Sequence, residues 1–84
     1  MRMSLAEVID NIGYSRVIVF TETPLGESNF EMIIAHITES GDGYYIEDVN
    51  GNSLWLSKGL DADYENEEYH IAKDNCQICI KLNT

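Results

Sequence analysis

Positive charge is what this chain has least of. Its 84 residues hold 5 Lys and Arg against 15 Asp and Glu, a formal net charge of −10 with the histidines neutral. A surface of that sign repels phosphate backbones and anionic lipid, which argues against a direct nucleic-acid binder or a membrane-surface protein. Long apolar runs are also missing, and none approaches the ~18 residues of a membrane-spanning helix. Met1-Arg2-Met3-Ser4 leads into an amphipathic stretch with no signal-peptide core, so the expected compartment is the cytosol, that of a bacterial host if the gene is phage-borne. One proline and 6 glycines leave little for a linker, and a single domain spanning 1–84 is expected. With 44% hydrophobic residues the chain is nonetheless composed to fold.

The residues of reactive chemistry are equally scarce. The two cysteines stand as Cys76-Gln77-Ile78-Cys79 inside a segment, Cys76 to Leu82, that alternates like a strand. Strand geometry sends Cys76 and Cys79 to opposite faces, which disfavours a local disulfide or a shared metal. A zinc site would need two further ligands, and only His36 and His70 are on hand. Asp61, Asp63 and Glu65 match the first ligand positions of a calcium loop, but Asn66 replaces the turn glycine and Ala72 the bidentate glutamate. Phosphate-binding G-x-x-x-x-G-K and a clustered Ser-His-Asp pattern are absent. The expectation is therefore a non-enzyme with no catalytic residue, metal or cofactor.

What is present reads as one helix followed by strands. Ser4-Leu5-Ala6-Glu7 fits a capping box, Leu5, Val8, Ile9 and Ile12 recur at helical spacing, and Gly13 supplies the stop. Val17 to Thr21 is a β-branched and aromatic run, continuous enough to expect burial on both faces. Thr23 to Glu27 reads as a loop. Phe30, Met32, Ile34 and His36 alternate along a second strand, and Ser40 to Gly43 turns into Tyr44 to Val49. Asn50-Gly51, two residues that both accept positive φ, is the strongest short hairpin signal and leads to Ser53 to Ser57. Lys58-Gly59 breaks that strand, Tyr69 to Lys73 forms another, and Asp74-Asn75 turns into the last, with Cys76, Ile78, Ile80 and Leu82 inward. The fold class is α+β: one N-terminal helix packed on a mostly antiparallel sheet of five or six strands.

The acids concentrate in Asp61-Ala62-Asp63-Tyr64-Glu65-Asn66-Glu67-Glu68. Such charge suits an edge that must avoid aggregation. In an extended segment Asp61, Asp63, Glu65 and Glu67 would also share one face about 6.7 Å apart. Against a phosphate per ~3.4 Å of axis on one DNA strand, that row is a sparse imitation of a backbone. Glu22 and Glu27 flank a second patch whose Leu25, like Tyr64 in the acidic run, offers an apolar anchor of the kind a binding hot spot needs. These residues, with Glu68, form the expected partner-binding set.

The order of elements resembles the phage uracil-DNA glycosylase inhibitor family. The likeness lies in the helix Ser4-Leu5-Ala6-Glu7-Val8-Ile9, the apolar strand Val17-Ile18-Val19-Phe20-Thr21-Glu22 that ends in acid, and the closing strand Ile78-Cys79-Ile80-Lys81-Leu82. In that family a Glu-Ser pair beside the first strand enters the enzyme's DNA cleft. Here Glu22-Thr23 stands in that place with threonine for serine, Glu27-Ser28 falls later, and Thr23 to Ser28 replaces the family's second helix. The resemblance implies an acidic inhibitor that mimics DNA and fills the basic cleft of a nuclease or glycosylase. A toxin-immunity protein that neutralises a basic nuclease uses the same physics. An accessory domain that self-associates through edge strands, as a homodimer, is the competing class.

Overall fold

A computed structural model describes residues 1–73 and 75–83. In chain order the elements are β1 (Arg2–Met3), α1 (Leu5–Ile12), β2 (Arg16–Thr23), β3 (Gly26–Glu39), β4 (Gly43–Asp48), β5 (Ser53–Ser57), β6 (Asp61–Glu65), β7 (Glu68–Lys73) and β8 (Cys76–Leu82). One eight-stranded sheet runs β1-β6-β7-β8-β2-β3-β4-β5, with every neighbouring pair antiparallel. The sheet is thus larger than the five or six strands expected. Arg2–Met3 is too short to show alternation, and the acid-rich β6 has a composition that strands usually avoid. No helix among the described residues is long and apolar enough to cross a membrane.

The helix forms as its sequence dictates. Ser4 Oγ accepts the Glu7 amide at 3.2 Å, and Glu7 Oε1 accepts the Ser4 amide in return at 3.4 Å. Gly13 ends it at φ 50°, its amide reaching Ile9 O at 3.0 Å. An eight-residue helix is unstable alone, so it depends on burying Leu5, Val8, Ile9 and Ile12.

A short link dictates the shape of the sheet. β5 ends the strand order and β6 stands next to the other end, yet only residues 58–60 join them. Six interstrand steps in a flat sheet would separate those strands by about 29 Å. Four residue steps cover at most about 14 Å. The sheet must therefore roll up, and the molecule measures 28 × 27 × 24 Å, nearly the same in each direction. The inner face closes on the helix, so Val17, Val19, Met32, Ile34, Ile46, Leu56, Ile71, Ile78 and Ile80 join its four apolar residues in one core.

The outer face stays open, which corrects the expectation for the first long strand. β2 is central, flanked by β8 and β3, but only Val17 and Val19 are buried. Ile18 is half-buried and Phe20 is 39% exposed. β3 departs from simple alternation in another way. Its register shifts between Ile34, opposite Asp48, and His36, opposite Glu47. The extra residue there flips the phase, so Ile37 packs inward opposite Ile46 and His36 is exposed. In β8 the expected alternation holds, with Ile78 and Ile80 buried. Of the expected Asp74-Asn75 turn, Asp74 lies outside the described residues.

Asp48 organises the β4–β5 turn. Its Oδ1 accepts the amides of Asn50 and Asn52 at 2.9 and 2.7 Å, and Oδ2 accepts Asn52 Nδ2 at 3.0 Å. Only Gly51 takes a positive φ, 89°, because this side chain, and not two left-handed residues, closes the loop. Desolvation acts to raise the Asp48 pKa, but the donors of Asn52, Asn50 and Gly51 outweigh it and hold the carboxyl below its ordinary value. A depressed folded pKa contributes stability above the unfolded value of about 3.9, and that contribution disappears as pH falls through the folded one. Urea unfolding of wild type and Asp48→Ala should show a clear gap at pH 7 that narrows toward pH 2.

Candidate functional site

The antiparallel register turns the outer face into a grid of side chains. Across β6, β7, β8, β2 and β3, one row reads Asp61, Ala72, Gln77, Glu22, Glu27. The next row reads Asp63, His70, Cys79, Phe20, Asn29, and the third reads Glu65, Glu68, Lys81, Ile18, Glu31. Carboxylates from segments almost 40 residues apart in sequence thus share one surface, with strands about 4.8 Å apart. Few cations answer them. Arg2 bonds Asp61 at 2.9 Å, Arg16 reaches Glu31 at 3.9 Å, and Lys81 stands opposite Glu68. The first two pairs are exposed, where ion pairs contribute little.

Some of these acids work against the fold. Glu22 lies directly opposite Glu27, and Glu65 directly opposite Glu68. Like charges directly opposed across an antiparallel pair destabilise it. The turn beside the second pair adds backbone strain, because Asn66 and Glu67 sit at φ 54° and 65°. Asparagine tolerates that region, whereas position 67 in such a turn favours glycine.

The expected partner-binding residues separate on this frame. Asp61, Asp63, Glu65, Glu68, Glu22 and Glu27 come together on the outer face. Glu67 does not continue their row, since β6 ends at Glu65 and the turn redirects it. Tyr64 points the other way, half-buried with its ring 4.7 Å from that of Tyr69. Leu25 is 99% exposed at the tip of the β2–β3 hairpin. The loop there is only Pro24-Leu25, tied by Thr23 Oγ1, which accepts the Leu25 amide and donates to Gly26 O, both at 3.2 Å. Strand continues into Thr23 and Gly26 where a longer loop was expected.

One cluster on this face escaped the sequence reading. Cys79 Sγ lies 3.0 Å from His70 Nδ1 and 3.9 Å from Nε2, and donates to Glu68 Oε2 at 3.6 Å. His70 Nε2 is 3.6 Å from the same oxygen. All three side chains are half-buried and border an open cleft of ≈ 530 Å³, shared with Phe20, Glu22, Glu27 and Gln77. Burial and the neighbouring Glu68 push the Cys79 thiol up to about 11, the reverse of what a nucleophile needs. The sulfur also sits beside the imidazole, since a thiol in line with the Nδ1 lone pair would stand much farther from Nε2. A nitrogen, a sulfur and an oxygen around one point suit a cation better than an acyl transfer. The signal was within reach: counting outward from a two-residue turn at 74–75 puts His70 opposite Cys79, and alternation brings Glu68 to the same face.

The left-handed conformation of Glu67 carries a stability cost that can be measured. Glu67→Gly relieves a left-handed glutamate and removes a charge, and should raise stability by about 0.5–1 kcal/mol in urea unfolding. If residue 67 adopted an ordinary conformation, the same change would lower stability.

No family model, curated protein or solved structure matches this chain.

Proposed function

We propose that this protein is a binding module whose outer sheet face occupies the basic nucleic-acid-binding cleft of a DNA- or RNA-processing enzyme, and so excludes nucleic acid from it. Asp61, Asp63, Glu65, Glu68, Glu22 and Glu27 supply the field, and Leu25 at the hairpin tip supplies an apolar anchor. The observation that carries this reading is the pair of directly opposed glutamates on one open face, Glu22–Glu27 and Glu65–Glu68. They cost stability, Glu22, Glu27 and Glu65 are exposed with Glu68 half-buried beside them, and the face holds too few cations to neutralise them. A partner with a positive surface turns that cost into complementarity, which accelerates encounter and excludes like-charged competitors. Steps of about 4.8 Å between strands and about 6.7 Å along them give a lattice of negative charge coarser than a duplex but comparable in kind. The protein itself performs no chemistry in this role.

A second reading rests on β5. Among the described residues no strand pairs its far side, Ser53–Ser57 holds no charged residue, and its own Trp55 is 38% exposed over the bare backbone of Gly43. An uncharged edge of that kind favours pairing with a second copy. Sedimentation across a wide concentration range separates the two readings, because only edge pairing makes the mass rise with concentration.

The direct test is capture from bacterial lysate on immobilised protein, at physiological and high salt, with duplex DNA as competitor. A nucleic-acid enzyme should be retained, and released by both salt and DNA. The variant Glu22→Gln, Glu27→Gln, Asp63→Asn, Glu65→Gln should bind it with an association rate about 10- to 1,000-fold lower. Its stability should equal or exceed that of wild type. Unchanged capture by this variant, or a partner indifferent to DNA, contradicts the proposal.

A further inference from the structure

We propose that Glu68, His70 and Cys79 form a site for a thiophilic divalent cation of the zinc class, with a fourth coordination position open to the adjoining cleft. Cys79 Sγ, His70 Nε2 and Glu68 Oε2 make a triangle with sides of 3.6, 3.6 and 3.9 Å. A cation reaches all three once the imidazole turns to aim a ring nitrogen between Cys79 Sγ and Glu68 Oε2, since the sulfur now lies beside the ring, 3.0 Å from Nδ1.

Donor chemistry narrows the choice of metal. Calcium and magnesium require shells of oxygen, whereas sulfur with imidazole selects zinc or a similar soft ion. The scaffold is suited to holding it. His70 and Cys79 are directly opposite on paired strands, and Glu68 lies two residues from His70 on the same face. Sites carried on strands hold their geometry better than sites on loops. The field also favours a cation, with Asp63 opposite His70, Glu65 opposite Glu68, and Glu22 and Glu27 bordering the cleft. Lys81, opposite Glu68, and Arg2, on Asp61, are the cations nearest in register and bond none of the three ligands.

Three protein ligands with an open position are the arrangement of exchangeable or substrate-accepting zinc sites, whereas closed structural sites use four. The cleft supplies room for a water or for an oxygen, nitrogen or sulfur donor from a bound molecule. On ligation the Cys79 thiol gives its proton to solvent and binds as thiolate. The site does not rest on the proposed enzyme partner, since its ligands and its cleft belong to this chain alone.

Zinc titrated alone into the chelator-treated, reduced protein should bind at one ion per chain by calorimetry. Cobalt in its place should show thiolate-to-metal charge transfer and the intense visible bands of a tetrahedral ion. Cys79→Ser and His70→Ala should each weaken zinc by at least about 100-fold. Cys76→Ser, on the opposite face, should leave affinity unchanged. The cobalt spectrum of the wild type tests the thiolate ligand even if a variant fails to fold. Absence of stoichiometric zinc binding, a cobalt spectrum without thiolate, or loss of binding in Cys76→Ser would overturn the proposal. Capture of a partner by Cys79→Ser keeps the two proposals distinguishable, because that variant retains every charge of the acidic face.

Discussion

The three-residue link between β5 and β6 constrains the rest of the molecule. It joins strands from near opposite ends of the sheet order, and only a rolled sheet brings them within reach. Rolling divides the strand faces into an inside, which one short helix fills, and an outside that no other element covers. A chain of 84 residues has little apolar area to spare, and the interior gathers most of its large aliphatic side chains, while Leu25, Val49, Phe20 and Trp55 stay exposed. The capping box of Ser4 and Glu7 and the stop at Gly13 matter because they fix a helix just long enough to present Leu5, Val8, Ile9 and Ile12 to that interior.

The outside is consequently free of folding demands over most of β6, β7, β8, β2 and β3. Sequence there can follow function, and it departs from what stability would choose. Glutamates oppose glutamates, a glutamate occupies a left-handed turn position, and a thiol, an imidazole and a carboxylate crowd together beside a cleft. Local rules broken on one face, while the other obeys them, are what a functional surface looks like physically. Under the two proposals the same acidic field serves a basic protein partner and a soft cation at its centre. The two are separable because the ligands Cys79 and His70 contribute none of the carboxylates that define the wider surface.

Legibility followed the strength of local signals. The helix was readable to the residue, since Ser4, Glu7 and Gly13 each perform a local task. The inward set of β8 was readable because Ile78 and Ile80 alternate without interruption. β3 misled beyond Ile34, because a bulge adds one residue without any compositional mark and reverses the face of His36. β2 reads as doubly buried, yet a rolled sheet has only one interior, which leaves Phe20 outside. β6 hides because acids suppress strand propensity, while its inward Ala62 and Tyr64 are too few to announce it. Most of the acidic surface was visible as composition. Its convergence was not, since pairing Glu22 with Glu27 needs the exact length of the Pro24-Leu25 turn. The Cys79 cluster depended on register, which the cysteine spacing alone disguises.

The claim that the outer face is the working surface is tested most directly by mapping the interface. Amide and methyl chemical shifts of the labelled protein, followed as a captured partner is added, report which strands respond. The account predicts changes concentrated in residues 22–29 and 61–70, with α1 and β5 nearly unperturbed. Changes centred on Ser53–Ser57 and Tyr45, with the acidic strands silent, would contradict it and assign recognition to the uncharged edge.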